Sequence, residues 1–209
     1  MTDIDPSRVV VVTAGLRAPS STRLLADELA DAVVEEFASA GRSAEVRIVE
    51  VREHAHAIAD ALLTGFAAGA LAEDQRALAE ADAVVVVTPT FSGSYSGLFK
   101  SFFDVLELGA LDQTPVLLAA TGGTERHSLM LEHALRPLFT YLKAVPVPTA
   151  IYAATADFGG PGTASLSARV RRGAAELARA VSGSTSRPTR SAVAADSLAF
   201  TPFEELLPR

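Results

Sequence analysis

The sequence predicts an α/β three-layer sandwich: a five-stranded parallel sheet of order 2-1-3-4-5 with helices on both faces. Three observations lead there. Short β-branched runs alternate with longer alanine- and leucine-rich segments, the pattern of successive βαβ units. The run at 83–88 shows no polar alternation, as in a strand covered on both sides. Five strands suit a doubly wound sheet, in which ligands sit beyond the carboxyl ends of the strands where the order reverses.

Residues 8–13 read as the first strand. A helix follows over 22–40, with Leu25, Leu29, Val33 and Phe37 four apart on one stripe and Gly41 as its stop. Residues 44–51 alternate as a second strand. The alanine-rich 54–81 holds one or two helices, interrupted near Gly65 and Gly69. After the third strand, residues 97–108 are expected as a helix, 115–121 as the fourth strand and 126–143 as a helix. Residues 145–153 form a fifth strand, whose Pro146 and Pro148 indicate a sheet edge or an irregular start. The last helix is expected over 163–181. Residues 1–183 thus make one domain. Residues 184–209 are a Ser/Thr/Pro-bearing linker and an apolar tail containing Leu198, Phe200, Phe203, Leu206 and Leu207, read as docked on folded protein.

Composition narrows the function. The 209 residues carry a net charge of −7 with no basic run, which disfavours nucleic acid as the main partner. The absence of cysteine excludes disulfides, thiolate catalysis and cysteine-ligated metals. No apolar stretch approaches the ~20 residues of a membrane helix, and the start does not read as a secretory leader, so the expected location is cytoplasmic.

Three loops fall at the carboxyl ends of strands one, three and four. The first contains Gly15, Arg17, Ser20, Ser21 and Thr22, with Arg23 just beyond. It opens a helix, so free amides, hydroxyls and arginine charge converge as a phosphate requires. It is neither a dinucleotide fingerprint nor a P-loop, and it also suits a plain strand-to-helix turn with capping serines. The second runs Pro89-Thr90-Phe91-Ser92-Gly93-Ser94-Tyr95. Tyr95 sits at the centre of the Gly-x-x-x-Gly spacing, which excludes a serine nucleophile elbow. Closely spaced amides and hydroxyls with two aromatics suit a flat, neutral, hydrogen-bonding ring; a loop made small for helix packing is the other reading. The third is Thr121-Gly122-Gly123-Thr124. Two glycines free to adopt positive φ would let backbone approach a ligand edge, and Thr124 would cap the following helix. A simple double-glycine turn is the alternative.

With these motifs in hand, the chain resembles the NADPH-dependent FMN reductases of the flavodoxin-like superfamily. It is nearest those that supply two-component sulfonate monooxygenases. The resemblance rests on "GLRAPSSTRLLAD", "TPTFSGSYSGLFKSFFD" and "ATGGTERHSLMLEHALRPLF" and covers about residues 8–155. The first motif departs from the family's usual Gly-Ser, having Gly15-Leu16. The resemblance implies FMN with its phosphate in the first loop and its ring over the second and third. It also implies NADPH or NADH as hydride donor and a flavin-dependent monooxygenase as recipient of reduced FMN. It implies a homodimer or tetramer with the active site near a subunit boundary; the widely apolar helix at 97–108 suits deep packing against the sheet or a place at that boundary, which the resemblance favours. Neither a general acid nor a metal ligand is assigned. Of the histidines, His54 and His56 are expected in solvent, and His127 near the flavin or at the surface. A flavin-retaining quinone, azo or nitro reductase and a flavodoxin-like electron carrier are the competing readings.

Overall fold

The computed structural model describes residues 5–159 and 162–183. The proposed tail lies outside these residues. In β1 (Ser7–Thr13) the alternation of a strand serves two cores at once: Val9 and Val11 enter one and Val10 and Val12 the other. Parallel partners flank it, β2 (Ala44–Glu50) and β3 (Ala83–Phe91). β5 (Pro115–Gly122) continues the sheet beyond β3. The outer place beside β5 is shared by β6 (Val145–Pro146) and β7 (Ile151–Ala154). The path β2-β1-β3-β5-β6 is the expected flavodoxin-like order. Pro146 and Pro148 split the expected fifth strand, as residues without an N–H to donate must.

The helix α1 (Ser21–Ser39) buries the predicted stripe completely; Leu25, Leu29, Val33 and Phe37 all have 0 % exposure. It shares its face of the sheet with α6 (Thr163–Gly183). The opposite face is covered by α2 (Ala55–Thr64), α3 (Gly69–Ala79), α4 (Gly97–Asp104) and α5 (Arg136–Tyr141). Among the described residues no single helix is long and apolar enough to cross a membrane.

Two helices differ from expectation. α4 stops at Asp104, and its large side chains are consumed within the chain. Phe99, Phe102 and Phe103 are buried, with ring centroids 4.8 Å apart for Phe99–Phe103 and 5.0 Å for Phe103–Phe139. Its phenylalanines therefore report the deep packing that was one of the two readings of this helix. The expected helix over 126–143 is broken into a 3₁₀ turn at Glu125–His127, a π turn at Leu131–Leu135 and α5. Pro137 accounts for the break. It has no N–H for the carbonyl of His133, and its ring would strike that carbonyl in a regular helix. The widened turn, with the Arg136 N–H bonded to Leu131 O, relieves the conflict.

The irregular run between β6 and β7 is held by charged side chains. Arg136 donates to the carbonyls of Val147 at 3.0 Å and Pro148 at 3.1 Å. Glu176 accepts from the Thr149 N–H at 2.7 Å and hydroxyl at 2.8 Å. Burial pushes the Glu176 carboxyl up, but these bonds and Arg172 outweigh it, so its pKa lies below the usual value.

Candidate functional site: three neutral loops at one edge of the sheet

The first loop leaves β1 while still tied to β3, the Ala14 N–H bonding Val87 O at 3.0 Å. It then folds back tightly. A Cβ on Gly15 would stand 2.2 Å from Ser20 Oγ and 3.3 Å from Thr22 Cβ, so only glycine fits that cradle. Ser20 is the N-cap of α1, its Oγ accepting the Arg23 N–H at 3.3 Å, which leaves its own O–H to donate outward. The first amides of α1, beginning at Ser21, have no intrahelical carbonyl, and the helix dipole favours an anion there. Arg17 is exposed and makes no ion pair among the described residues. Arg23, expected to supply charge to the same spot, is spent elsewhere. It pairs with Asp27 at 2.8 Å and with Glu50, and these bonds, Asp27 first, raise its pKa. Thr22 is likewise occupied, its hydroxyl lying 2.8 Å from Thr121 Oγ1 in a buried contact between the first and third loops.

The second loop is more ordered than its composition indicates. β3 runs on to Phe91 and pairs antiparallel with β4 (Ser94–Tyr95), joining Thr90 to Tyr95 and Phe91 to Ser94. Ser92 at φ 50° and Gly93 at φ 78° form the two-residue turn, whose positive φ values match a type I′ hairpin. Below it, Thr88 Oγ1 accepts the Ser96 N–H at 3.1 Å and donates to Pro89 O at 3.1 Å. Ser96 Oγ in turn caps α4 at the Phe99 N–H, 3.2 Å away. Phe91 is 46 % exposed, and Tyr95 is half-buried with its ring 6.0 Å from that of Phe99.

The third loop corrects a sequence expectation. Neither Gly122 nor Gly123 has positive φ. What Gly122 requires is space: a Cβ there would lie 2.0 Å from Tyr152 Oη. Gly123 and Thr124 are exposed, and the Thr124 side chain makes no capping bond to the Glu125–His127 turn. Tyr152, on β7, was not singled out in the sequence, although its place as the one aromatic of the last strand, followed by two alanines, was the available signal. Its hydroxyl meets Thr90 Oγ1 at 3.3 Å, joining the last strand to the root of the hairpin. A second correction concerns His54, which is buried and bonded to Asp74 at 2.6 Å rather than solvated; His56 and His127 are exposed.

Residues 14–22, 88–96 and 121–124 thus gather amides and hydroxyls at the carboxyl edge of β1, β3 and β5, with Arg17 as their one charged side chain. This donor set fits FMN. A helix start, serine hydroxyls and an unpaired arginine suit the phosphate dianion, and a neutral edge of amides and hydroxyls suits the ring.

The sequence pattern of the NADPH-dependent FMN reductase family matches residues 7–159. An FMN reductase (NADPH) of Pseudomonas aeruginosa is 40 % identical over 177 residues, covering 83 % of this chain and 91 % of the relative. The NADH-dependent FMN reductase SfnF of Pseudomonas fluorescens is 38 % identical over 185 residues, covering 88 % and 96 %. The crystal structure of an oxidoreductase from Corynebacterium diphtheriae superposes with a TM-score of 0.83 at 43 % identity, covering 86 % of this chain and 98 % of that one. By these matches, over a sheet and loops of the same order, the chain belongs to the NADPH-dependent FMN reductase family.

Proposed function

We propose that the chain is an NAD(P)H:FMN oxidoreductase that passes reduced FMN to a flavin-dependent monooxygenase. The observation that carries the reading is that the three loops hold no charged side chain except Arg17, which makes no ion pair among the described residues. Such loops bind and orient without offering an acid or base, which is what hydride transfer between two stacked rings asks of a protein. When bound, FMN supplies the hydride acceptor. The chain's own residues divide the holding. Ser20, Ser21, the first amides of α1 and Arg17 take the phosphate. Residues 89–95 and the backbone at Thr121, Gly122 and Gly123 take the ring. Phe91 offers exposed apolar surface beside it and excludes water.

Anaerobic mixing with FMN and either NADPH or NADH tests the first half of the proposal. Loss of the flavin's visible absorbance is expected, and a chain that binds FMN yet leaves it oxidised with both nucleotides would be a carrier instead. Supply to a partner further requires that reduced FMN bind no more tightly than oxidised FMN, which titration of both forms reads directly. The relatives carry both NADPH and NADH in their names, so steady-state kinetics with each nucleotide belongs in the same experiment.

The proposal includes a homodimer or tetramer in which residues 184–209 dock on folded chain. Leu62, Leu63 and Phe66, exposed around the α2–α3 corner at 51 %, 87 % and 68 %, offer apolar surface for such an assembly. Sedimentation of the full chain and of a chain ending at residue 183 checks it; a monomer in both would remove the assembly.

A further inference from the structure

We infer that Tyr152 is a positioning residue for the flavin ring, acting through Thr90 across the strand that lies between them. The inference rests on the flavin reading of the three loops. β7 and β3 are not neighbours; β5 separates them. In the register, Tyr152 stands beside Ala120, and Ala120 beside Thr88. To reach Thr90, two residues further along β3, the tyrosine must lean over β5 at the next position on the same face, Gly122. The geometry shows that passage. Tyr152 Oη is 3.3 Å from Thr90 Oγ1. A Cβ added at Gly122 would be 2.0 Å from that hydroxyl, 3.0 Å from Tyr152 Cζ and 3.4 Å from Thr90 Oγ1. Glycine is therefore demanded here by a side chain crossing above it and not by backbone conformation.

The crossing matters because of what it joins. Thr90 is the root of the hairpin, paired with Tyr95 across the Ser92-Gly93 turn. Gly122 begins the third loop. One hydroxyl thus sets the separation of the two segments assigned to the ring. Tyr152 is only 8 % exposed and belongs to the core on the α2–α5 face of the sheet, so it acts through Thr90 and not by lying on the ligand. Among the described residues no hydrogen bond joins the first loop, assigned to the phosphate, to this pair; it is tied to the third loop on the opposite face by Thr22 and Thr121.

The test is a double-mutant cycle read by flavin titration, with FMN and riboflavin in parallel. Tyr152→Phe removes one hydroxyl and keeps the ring. It is expected to weaken FMN and riboflavin by the same factor, about threefold to tenfold, and to alter the visible spectrum of the bound flavin. Gly122→Ala drives a methyl group into the hydroxyl and is expected to weaken both flavins about tenfold or more. In the double variant the obstacle is smaller, so the two losses should not add, and affinity should return to within about threefold of Tyr152→Phe alone. A packing role by itself would lower the melting temperature of each variant but leave the affinities of Tyr152→Phe and the bound spectrum unchanged, with no recovery in the double variant; that result overturns the inference. A wild-type chain that binds neither flavin would overturn the underlying flavin reading and this inference with it.

Discussion

Two irregular regions of this molecule are held in opposite ways. The run from Val147 to Ala150, between β6 and β7, is clamped by full charges, with Arg136 on its carbonyls and Glu176 on the Thr149 N–H and hydroxyl. The loops at the carboxyl edge are held by neutral hydroxyls: Ser20 and Ser96 on helix starts, Thr88 on Ser96, Thr22 on Thr121 and Tyr152 on Thr90. Charged hydrogen bonds are the stronger fastening, about 1.5–3 kcal/mol against about 0.5–1.5 kcal/mol for neutral ones. The weaker kind stands where the proposed function puts the flavin. A carboxylate there would repel a phosphate, and a fixed cation would compete for it. Neutral fasteners leave Arg17 as the one charged side chain within the three loops.

The contrast can be broken by substitution. Arg17→Ala should have the largest effect, weakening FMN about tenfold to a hundredfold while leaving riboflavin nearly unchanged. Equal losses for both flavins, read by titration, would take Arg17 out of the phosphate site and end the division of labour.

Glu176→Gln tests the charged region. The side chain is 11 % exposed, and the loss of a charge-assisted pair of bonds should cost about 1–2 kcal/mol at neutral pH. Because its pKa is lowered in the folded state, Glu176 stabilises the fold above its unfolded pKa. That contribution is lost as pH falls through the lower folded value. Melting curves should therefore separate the variant from the wild type at neutral pH and converge on acidification into the carboxylate range. FMN affinity should not change; a large change would mean that the two regions are coupled.

Thr22→Val sharpens the neutral side. It strands the buried Thr121 hydroxyl, and a loss of about 1 kcal/mol is expected in thermal unfolding. The smallest effect has the opposite sign. Thr13 Oγ1, at the end of β1, is buried with no hydrogen-bond partner among the described residues. Thr13→Val replaces it with an isostere that needs none, so the melting temperature should rise by a few degrees or less, with flavin affinity unchanged. A fall in FMN affinity would show that this hydroxyl belongs to the site.

The layered fold was legible because its signal is repetitive. Valines facing two cores, and leucines four apart on α1, record burial on both sides of a sheet. The loops were legible in position and in composition. Their fastening was not, since the contacts of Thr22 with Thr121 and Thr90 with Tyr152 span 99 and 62 residues and leave no local pattern. Local rules also misread particular residues. Adjacent glycines suggested positive φ, whereas Gly122 answers to a tyrosine from another strand. The phenylalanines of α4 suited deep packing or a subunit interface alike, and it is Phe139, distant in sequence, that meets Phe99 and Phe103 in the core. The break before Pro137 was readable from the proline alone.

Hydroxyl fasteners have a consequence for the medium in which the protein works. At physiological ionic strength the screening length is about 8 Å, and added salt shortens it. A contact between two hydroxyls has no monopole to screen, so the spacing of the segments proposed to hold the ring should be the same in dilute buffer and in concentrated salt. Arg17, exposed and without an ion pair among the described residues, has no such immunity. Salt should then act on one end of the flavin only, weakening FMN progressively and leaving riboflavin almost untouched, so that ionic strength reproduces in the wild-type chain what removal of one guanidinium does in the variant.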